Sequence, residues 1–133
     1  MRFDVAWFEA LGQTMAGDPL YGRISGHFTA RILIEEGARA ALVCLDGGRI
    51  AEVQAPAPLM APWDFAIRGD AAAWDDLLAA VPPPRCQSVF ALAKAGRMRV
   101  EGNWMVVMQN LWALTRLLEL MRAHHGAMTR AAA

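Results

Sequence analysis

Between Gly96 and Arg122 the hydrophobic period changes from two to about 3.6 within two residues, and few architectures accommodate that change. Met98 and Val100 alternate with Arg97, Arg99 and Glu101, the pattern of a strand with one buried face. Gly102 ends the strand and Asn103 stands where a helix N-cap belongs. From Trp104 onward, Trp104, Val107, Leu111, Leu114, Leu118 and Met121 recur at three- and four-residue spacing, which predicts one long helix with a continuous apolar stripe. Its opposite side carries Met105, Met108 and Trp112 early, then Thr115, Arg116 and Glu119. A helix apolar on two sides has two apolar neighbours. The sheet is one, and a ligand cavity, another helix or another subunit is the second.

The upstream chain supplies the sheet. Residues 27–35 alternate, with Phe28, Ala30, Ile32 and Ile34 on one side and Thr29, Arg31 and Leu33 on a wet face. Turns at Glu36-Gly37 and Gly47-Gly48 lead into runs 39–46 and 49–54, and a Gly-Gly pair between alternating runs is a strong hairpin signal. The stretch 55–62, punctuated by Pro56, Pro58 and Pro62, cannot supply ladder hydrogen bonds and is expected to cross or edge the sheet. Trp63, Phe65 and Ile67 form a fourth strand. Gly69-Asp70 then caps a helix whose Trp74, Leu77, Leu78 and Val81 are apolar at helical spacing, and Pro82-Pro83-Pro84 stops it. A short helix spans 88–95. Ahead of the sheet, Phe3, Ala6, Trp7, Ala10 and Leu11 fit an amphipathic helix closed by residues 12–19, followed by a glycine-rich turn over 21–26.

At 133 residues the length suits one domain: an N-terminal helix and turn over 1–26, a core over 27–123 and a frayed tail over 124–133. Thirteen basic against thirteen acidic residues, with no basic cluster, exclude the nucleic-acid binders, whose affinity comes from phosphate neutralisation. No run is long enough for a membrane span and no signal sequence is present, which points to the cytoplasm. Twelve of the thirteen basic residues are arginine, a bias of GC-rich bacterial genomes. Cys44 and Cys86 form no Cys-x-x-Cys, so disulfide and zinc sites are not expected.

Catalytic constellations are missing from the pattern. The three histidines have no metal-ligand spacing, and His124 and His125 are expected to cap a helix C-terminus. Ser25 and Ser88 lie in no nucleophile elbow. Asp75 and Asp76, adjacent on a helix, point about 100° apart and read as a solvated face. Asp64 and Glu101 sit beside Arg68 and Arg99 and read as cross-strand ion pairs. No cofactor motif occurs.

Taken in order, the segment Trp63-Asp-Phe-Ala-Ile-Arg-Gly-Asp70, Trp74 with Leu77-Leu78, the run Gly96-Arg-Met-Arg-Val-Glu-Gly-Asn103 and the long last helix resemble the sterol carrier protein 2 domain family over residues 27–122. The resemblance implies an α+β fold: a five-stranded, mostly antiparallel sheet covered on one face by helices, with an apolar tunnel. It implies no catalytic residue, and a fatty acid, acyl-CoA or sterol-like ligand; the residues themselves offer no metal or cofactor site. It places the tunnel walls at Leu78, Phe90, Met98, Met105, Met108 and Trp112, with Phe65 and Val100 as floor. Methionine and aromatic side chains suit such walls because they adapt to ligands of variable shape. Two other readings are carried. In one, Met105, Met108 and Trp112 form a homodimer surface, or, as the resemblance implies, the domain is an accessory module that serves a partner enzyme. In the other, the chain is a small isomerase or cyclase with Asp64 or Glu101 as base and Tyr21 as hydrogen-bond donor.

Overall fold

The computed structural model describes residues 2–132. Three strands, β1 (Ala30–Glu36), β2 (Arg39–Asp46) and β3 (Arg49–Gln54), form the expected antiparallel meander. The first begins at Ala30 rather than His27, because Phe28 and Thr29 are engaged in a tight turn with Ser25 and His27. Next come β4 (Phe65–Gly69), the helices α3 (Ala71–Leu77) and α4 (Val89–Lys94), and β5 (Met98–Gly102). The sheet order is β3-β2-β1-β4-β5. β4 lies parallel to β1 while every other pairing is antiparallel, so the α+β sheet is mixed but mostly antiparallel, as expected.

The parallel pairing follows from the proline stretch. β3 ends beside the start of β2, where Ala57 N–H donates to Ala40 O (2.8 Å), and β4 begins beside the start of β1, where Asp64 N–H donates to Arg31 O (2.8 Å). Residues 55–64 therefore cross two strands, tied to them by these single hydrogen bonds rather than by a ladder. The sheet face away from the main core is not wholly wet. Leu33, Leu42 and Ala66 are register partners on it and all are buried, so Leu33 does not lie on a solvated face.

On the other face Ile32, Ile34, Phe65, Ile67, Met98 and Val100 join the core under the helices. Helix α1 (Val5–Ala16) starts with Asp4 accepting from Trp7 N–H (2.8 Å) and buries Trp7, Phe8, Leu11 and Met15. It runs through Gly12, where the sequence predicts closure. A six-residue helix, α2 (Pro19–Ile24), replaces the expected glycine turn, because Asp18 accepts from Tyr21 N–H (2.9 Å) and Pro19 suits the first turn. Asp70 and Ser88 cap α3 and α4. α3 ends at Leu77, before the triple proline, so Val81, expected to continue its apolar spacing, lies beyond the helix and is exposed.

The last helix is two. α5 (Trp104–Gln109) begins where Asn103 accepts from Met105 and Val106 N–H, and it stops at Asn110, whose side-chain amide donates to Val106 O (2.9 Å). α6 (Leu111–Ala132) then packs on α1 and α2. The break divides the predicted stripe: Val107, Leu114, Leu118 and Met121 are buried, whereas Trp104 is exposed and Leu111 half-buried.

Residues from 124 onward are helical as far as Ala132, not a separate tail, and Ala133 lies outside the described residues. His124 sits mid-helix, buried, its ring edge-on to Trp7 at 4.8 Å and its Nε2 3.1 Å from Trp7 O, so it caps nothing. A carbonyl only accepts, so Nε2 carries the proton of a neutral ring. Burial pushes this imidazole below the usual histidine range against a smaller upward pull from the Trp7 carbonyl, and His125 is lowered too, first by burial and then by Arg2. Because the unfolded chain takes up these protons first, the stability they give is complete above the ordinary histidine range and falls as pH drops through it. Urea midpoints should decline between about pH 7 and pH 5. His124→Gln, which keeps a donor for Trp7 O, should flatten part of that decline; an unchanged slope would show that His124 does not contribute.

Candidate functional site

Of the eight residues assigned to a tunnel, five lie together in or against the core and three lie outside it. Phe65, Leu78 and Met98 are fully buried between the sheet and the helices, Val100 lies at the rim of that core, and Phe90 is half-buried with its ring 6.3 Å from Trp104. Met105 (68% exposed), Met108 (50%) and Trp112 (78%) face outward around the α5–α6 break. The helix does have a second apolar side. Among the described residues, no element of the chain covers those three.

Three clefts mark the helical side and the ends of the sheet. The largest, about 820 Å³, lies between α1, α2 and the β2–β3 hairpin. Phe8, Met15 and Ile50 give it apolar walls, Gly12, Gly22 and Gly48 flatten it, and Glu9, Gln13 and Arg49 line it with polar groups. A second, about 460 Å³, is the groove that the α5–α6 break opens between Ile24, Met108 and Trp112. The third, about 380 Å³, sits at the chain's N-terminal corner among Phe3, Arg39, Pro56 and small alanines, beside Glu36, which pairs with Arg2.

The large cleft is built by two unusual features. Gly48 (φ +85°) lets the hairpin press on α2, since a Cβ there would stand 2.2 Å from Ser25 Oγ and 2.9 Å from its carbonyl oxygen. Against that turn, Tyr21 O–H donates to Gly48 O (2.7 Å), and burial pushes the phenol up to about 12. The glycines of the two helices behave differently. A Cβ at Gly12 would meet only Ile50 Cδ1 at an ordinary 3.9 Å, and one at Gly22 would meet nothing within 4 Å. Each costs its helix about 0.5–1 kcal/mol relative to alanine, with no packing contact that requires it. What the two share is the cleft. The helical glycines are legible in the sequence only as breakers, and their common cleft requires the tertiary structure.

The groups of the isomerase reading are not assembled. Asp64 accepts from Arg31 N–H (2.7 Å). Glu101 pairs with Arg68, which also holds Glu35 and lies over the Trp63 ring at 5.5 Å. Tyr21 is on α2, committed to Gly48. The expected ion pairing of Glu101 is thus present, shared between Arg68 and Arg99, while Asp64 serves the backbone instead. Asp75 and Asp76 are ion-paired to Arg2 and Arg97 rather than merely solvated. Among the described residues no group of three or more His, Cys, Asp or Glu is placed to hold a metal ion, and no helix is long and apolar enough to cross a membrane.

A five-stranded mixed sheet with its helices on one face and a long helix at the C-terminus defines the class: an α+β domain of the sterol carrier protein 2-like fold. Among solved structures, the chain is similar to a sterol carrier protein 2 (TM-score 0.73, 17% identity, 92% of this chain and 98% of the other). It is also similar to a conserved hypothetical protein from Thermus thermophilus suggested to be a sterol carrier protein (TM-score 0.69, 17% identity, 93% and 90%). A third is the UbiJ-SCP2 ubiquinone synthesis protein (TM-score 0.57, 19% identity, 84% and 86%). No protein-family model and no curated protein matches the chain.

Proposed function

We propose that this protein binds an apolar or amphiphilic molecule without catalysis, in the cleft between α1, α2 and the β2–β3 hairpin. The carrying observation is the pair of helix-interior glycines, Gly12 and Gly22, which line that cleft and serve no other contact. A half-polar lining with Arg49 and Gln13 suits a chain-like molecule with a polar head, such as a fatty acid or acyl-CoA ester. The fold shared with a sterol carrier protein 2 supports the same class of ligand. The arginine-rich composition supports a bacterial source, and the cytoplasm is the setting we assign. None of the five inner residues of the expected tunnel, Phe65, Leu78, Phe90, Met98 and Val100, lines this cleft, while Met108 and Trp112 line the neighbouring groove.

Delipidated protein titrated with fluorescent fatty acid and acyl-CoA analogues should bind at least one of them saturably. Gly12→Ala should stabilise the fold by about 0.5–1 kcal/mol, read as a raised urea midpoint, with little change in affinity. Gly12→Leu, which projects into the cleft, should weaken binding at least tenfold without unfolding the chain. Saturable binding that Gly12→Leu leaves untouched would falsify the placement, and no binding by any probe would remove the function.

A second reading rests on the exposure of Met105, Met108 and Trp112, because methionine and tryptophan so exposed suit a homodimer surface or the docking face of a partner enzyme. That one structural neighbour is a ubiquinone synthesis protein supports the partner-enzyme form. Sedimentation equilibrium separates the two forms, since a strict monomer leaves only the enzyme partner.

A further inference from the structure

The two helical-side clefts share a wall, and that wall is α2. Tyr21, Gly22 and Ser25 face the cleft beneath α1, while Ile24, on the same six-residue helix, faces the groove of Met108 and Trp112. A helix this short has no stability of its own, so its position depends on its ties. Tyr21 is its one buried side chain, joined by the hydroxyl to Gly48 O; the half-buried Ile24 packs against the core, Ser25 at its C-cap is seated against Gly48, and its N-cap Asp18 is gripped from α6 by Arg116, Nε to Oδ2 at 3.0 Å and Nη2 to Oδ1 at 2.7 Å. Asp18 Oδ2 also accepts from Tyr21 N–H, so one carboxylate both starts the helix and latches it. Gly17 precedes this unit and Gly26 follows it, and a glycine backbone can take up a change of direction with no side chain to displace.

We propose that α2 is a hinged flap, latched by the Asp18–Arg116 ion pair, whose lifting joins the cleft under α1 to the Met108–Trp112 groove and admits the ligand. The inference rests on the ligand reading above. It gives the outward-facing Met108 and Trp112 a role in that reading, as the apolar landing along which a chain-like ligand passes before the flap closes. The latch persists through physiological pH, since hydrogen bonds from Arg116 and then Tyr21 hold the Asp18 carboxyl down to about 2. Opening is therefore set by the competition between the ion pair and the ligand, not by titration of Asp18.

The test uses Arg116→Gln, which removes the latch and leaves Asp18 free to cap α2, with Arg116→Lys as the partial rescue. In native-state hydrogen exchange of the full chain, the amides of residues 21–25 should exchange at least tenfold faster in Arg116→Gln, with those of α1 and β1 unchanged and Arg116→Lys in between. In stopped-flow mixing with the fluorescent fatty acid that the wild type binds, the association rate of Arg116→Gln should rise severalfold, and its equilibrium affinity should change less than its rate. Faster exchange spread evenly over the chain, or a local opening with an unchanged association rate, overturns the flap while leaving the ligand reading intact. A wild type that binds no probe overturns the ligand reading and the flap's role together, and the exchange pattern then still decides whether α2 is latched by Arg116.

Discussion

Trp74→Ala should come close to unfolding the protein. The indole is fully buried, edge-on to Phe3 at 4.9 Å, and its Nε1–H donates to Glu35 O at 2.9 Å, tying α3 to the end of β1. Truncating a buried aromatic costs roughly 3–5 kcal/mol through lost transfer energy and the cavity left behind. Leaving the Glu35 carbonyl unpaired in that cavity adds about 1–3 kcal/mol. Since domains of this size hold about 5–15 kcal/mol in all, the variant should lose much of its urea midpoint by far-UV circular dichroism. Trp74→Phe separates the two contributions, because it restores most of the volume but not the N–H, and should cost about 1–3 kcal/mol. A loss below about 1 kcal/mol for Trp74→Ala would mean that α3 does not pack as described.

The second large effect is expected at Gly102, where strand β5 turns into α5. Its φ is +110°, and a Cβ there would stand 2.6 Å from Asp64 O, 2.7 Å from the Trp63 ring and 3.0 Å from Phe65 Cα. Two of those neighbours are backbone and cannot swing aside. Gly102→Ala therefore combines strained backbone, about 1–3 kcal/mol, with displacement of the hydrogen bond from Asn103 N–H to Asp64 O (2.7 Å), about 1 kcal/mol. The damage should be local in hydrogen exchange, fastest at β5 and the first turn of α5. Exchange that stays at wild-type rates there, with an unchanged urea midpoint, would contradict this geometry.

The contrast between Gly102 and Gly12 shows how far a glycine can be read from sequence. At the end of an alternating run, with asparagine next, Gly102 announces a strand end and a cap, and both are present. Gly12, between apolar residues of period 3.6, reads as the close of a helix, yet α1 continues to Ala16 because Phe8, Leu11 and Met15 on one side of it are buried against the core. A helical glycine that the packing does not need carries information about the space beside it, and that space is made by α2 and the hairpin, which lie elsewhere in the chain.

The elements that depend on near neighbours are legible in the sequence: the meander and its Gly-Gly turn, the caps at Asp70 and Asn103, the period change at Gly102, and the order of parts that resembles the sterol carrier protein 2 domain. Tertiary structure decided the rest. The outward direction of Met105, Met108 and Trp112 depends on whether any other element arrives to cover them, and among the described residues none does. At the break, Val106 O accepts from both the backbone N–H and the side-chain amide of Asn110, and the direction α6 then takes is fixed by its packing on α1 and α2. His124 is buried because Trp7, 117 residues away, accepts from its ring. Period and capping are energies of residues within about one helical turn or one strand pair, so a sequence displays them directly. Exposure, clefts and long-range partners are set by which distant surfaces exclude water from one another, and that exists only once the chain has folded.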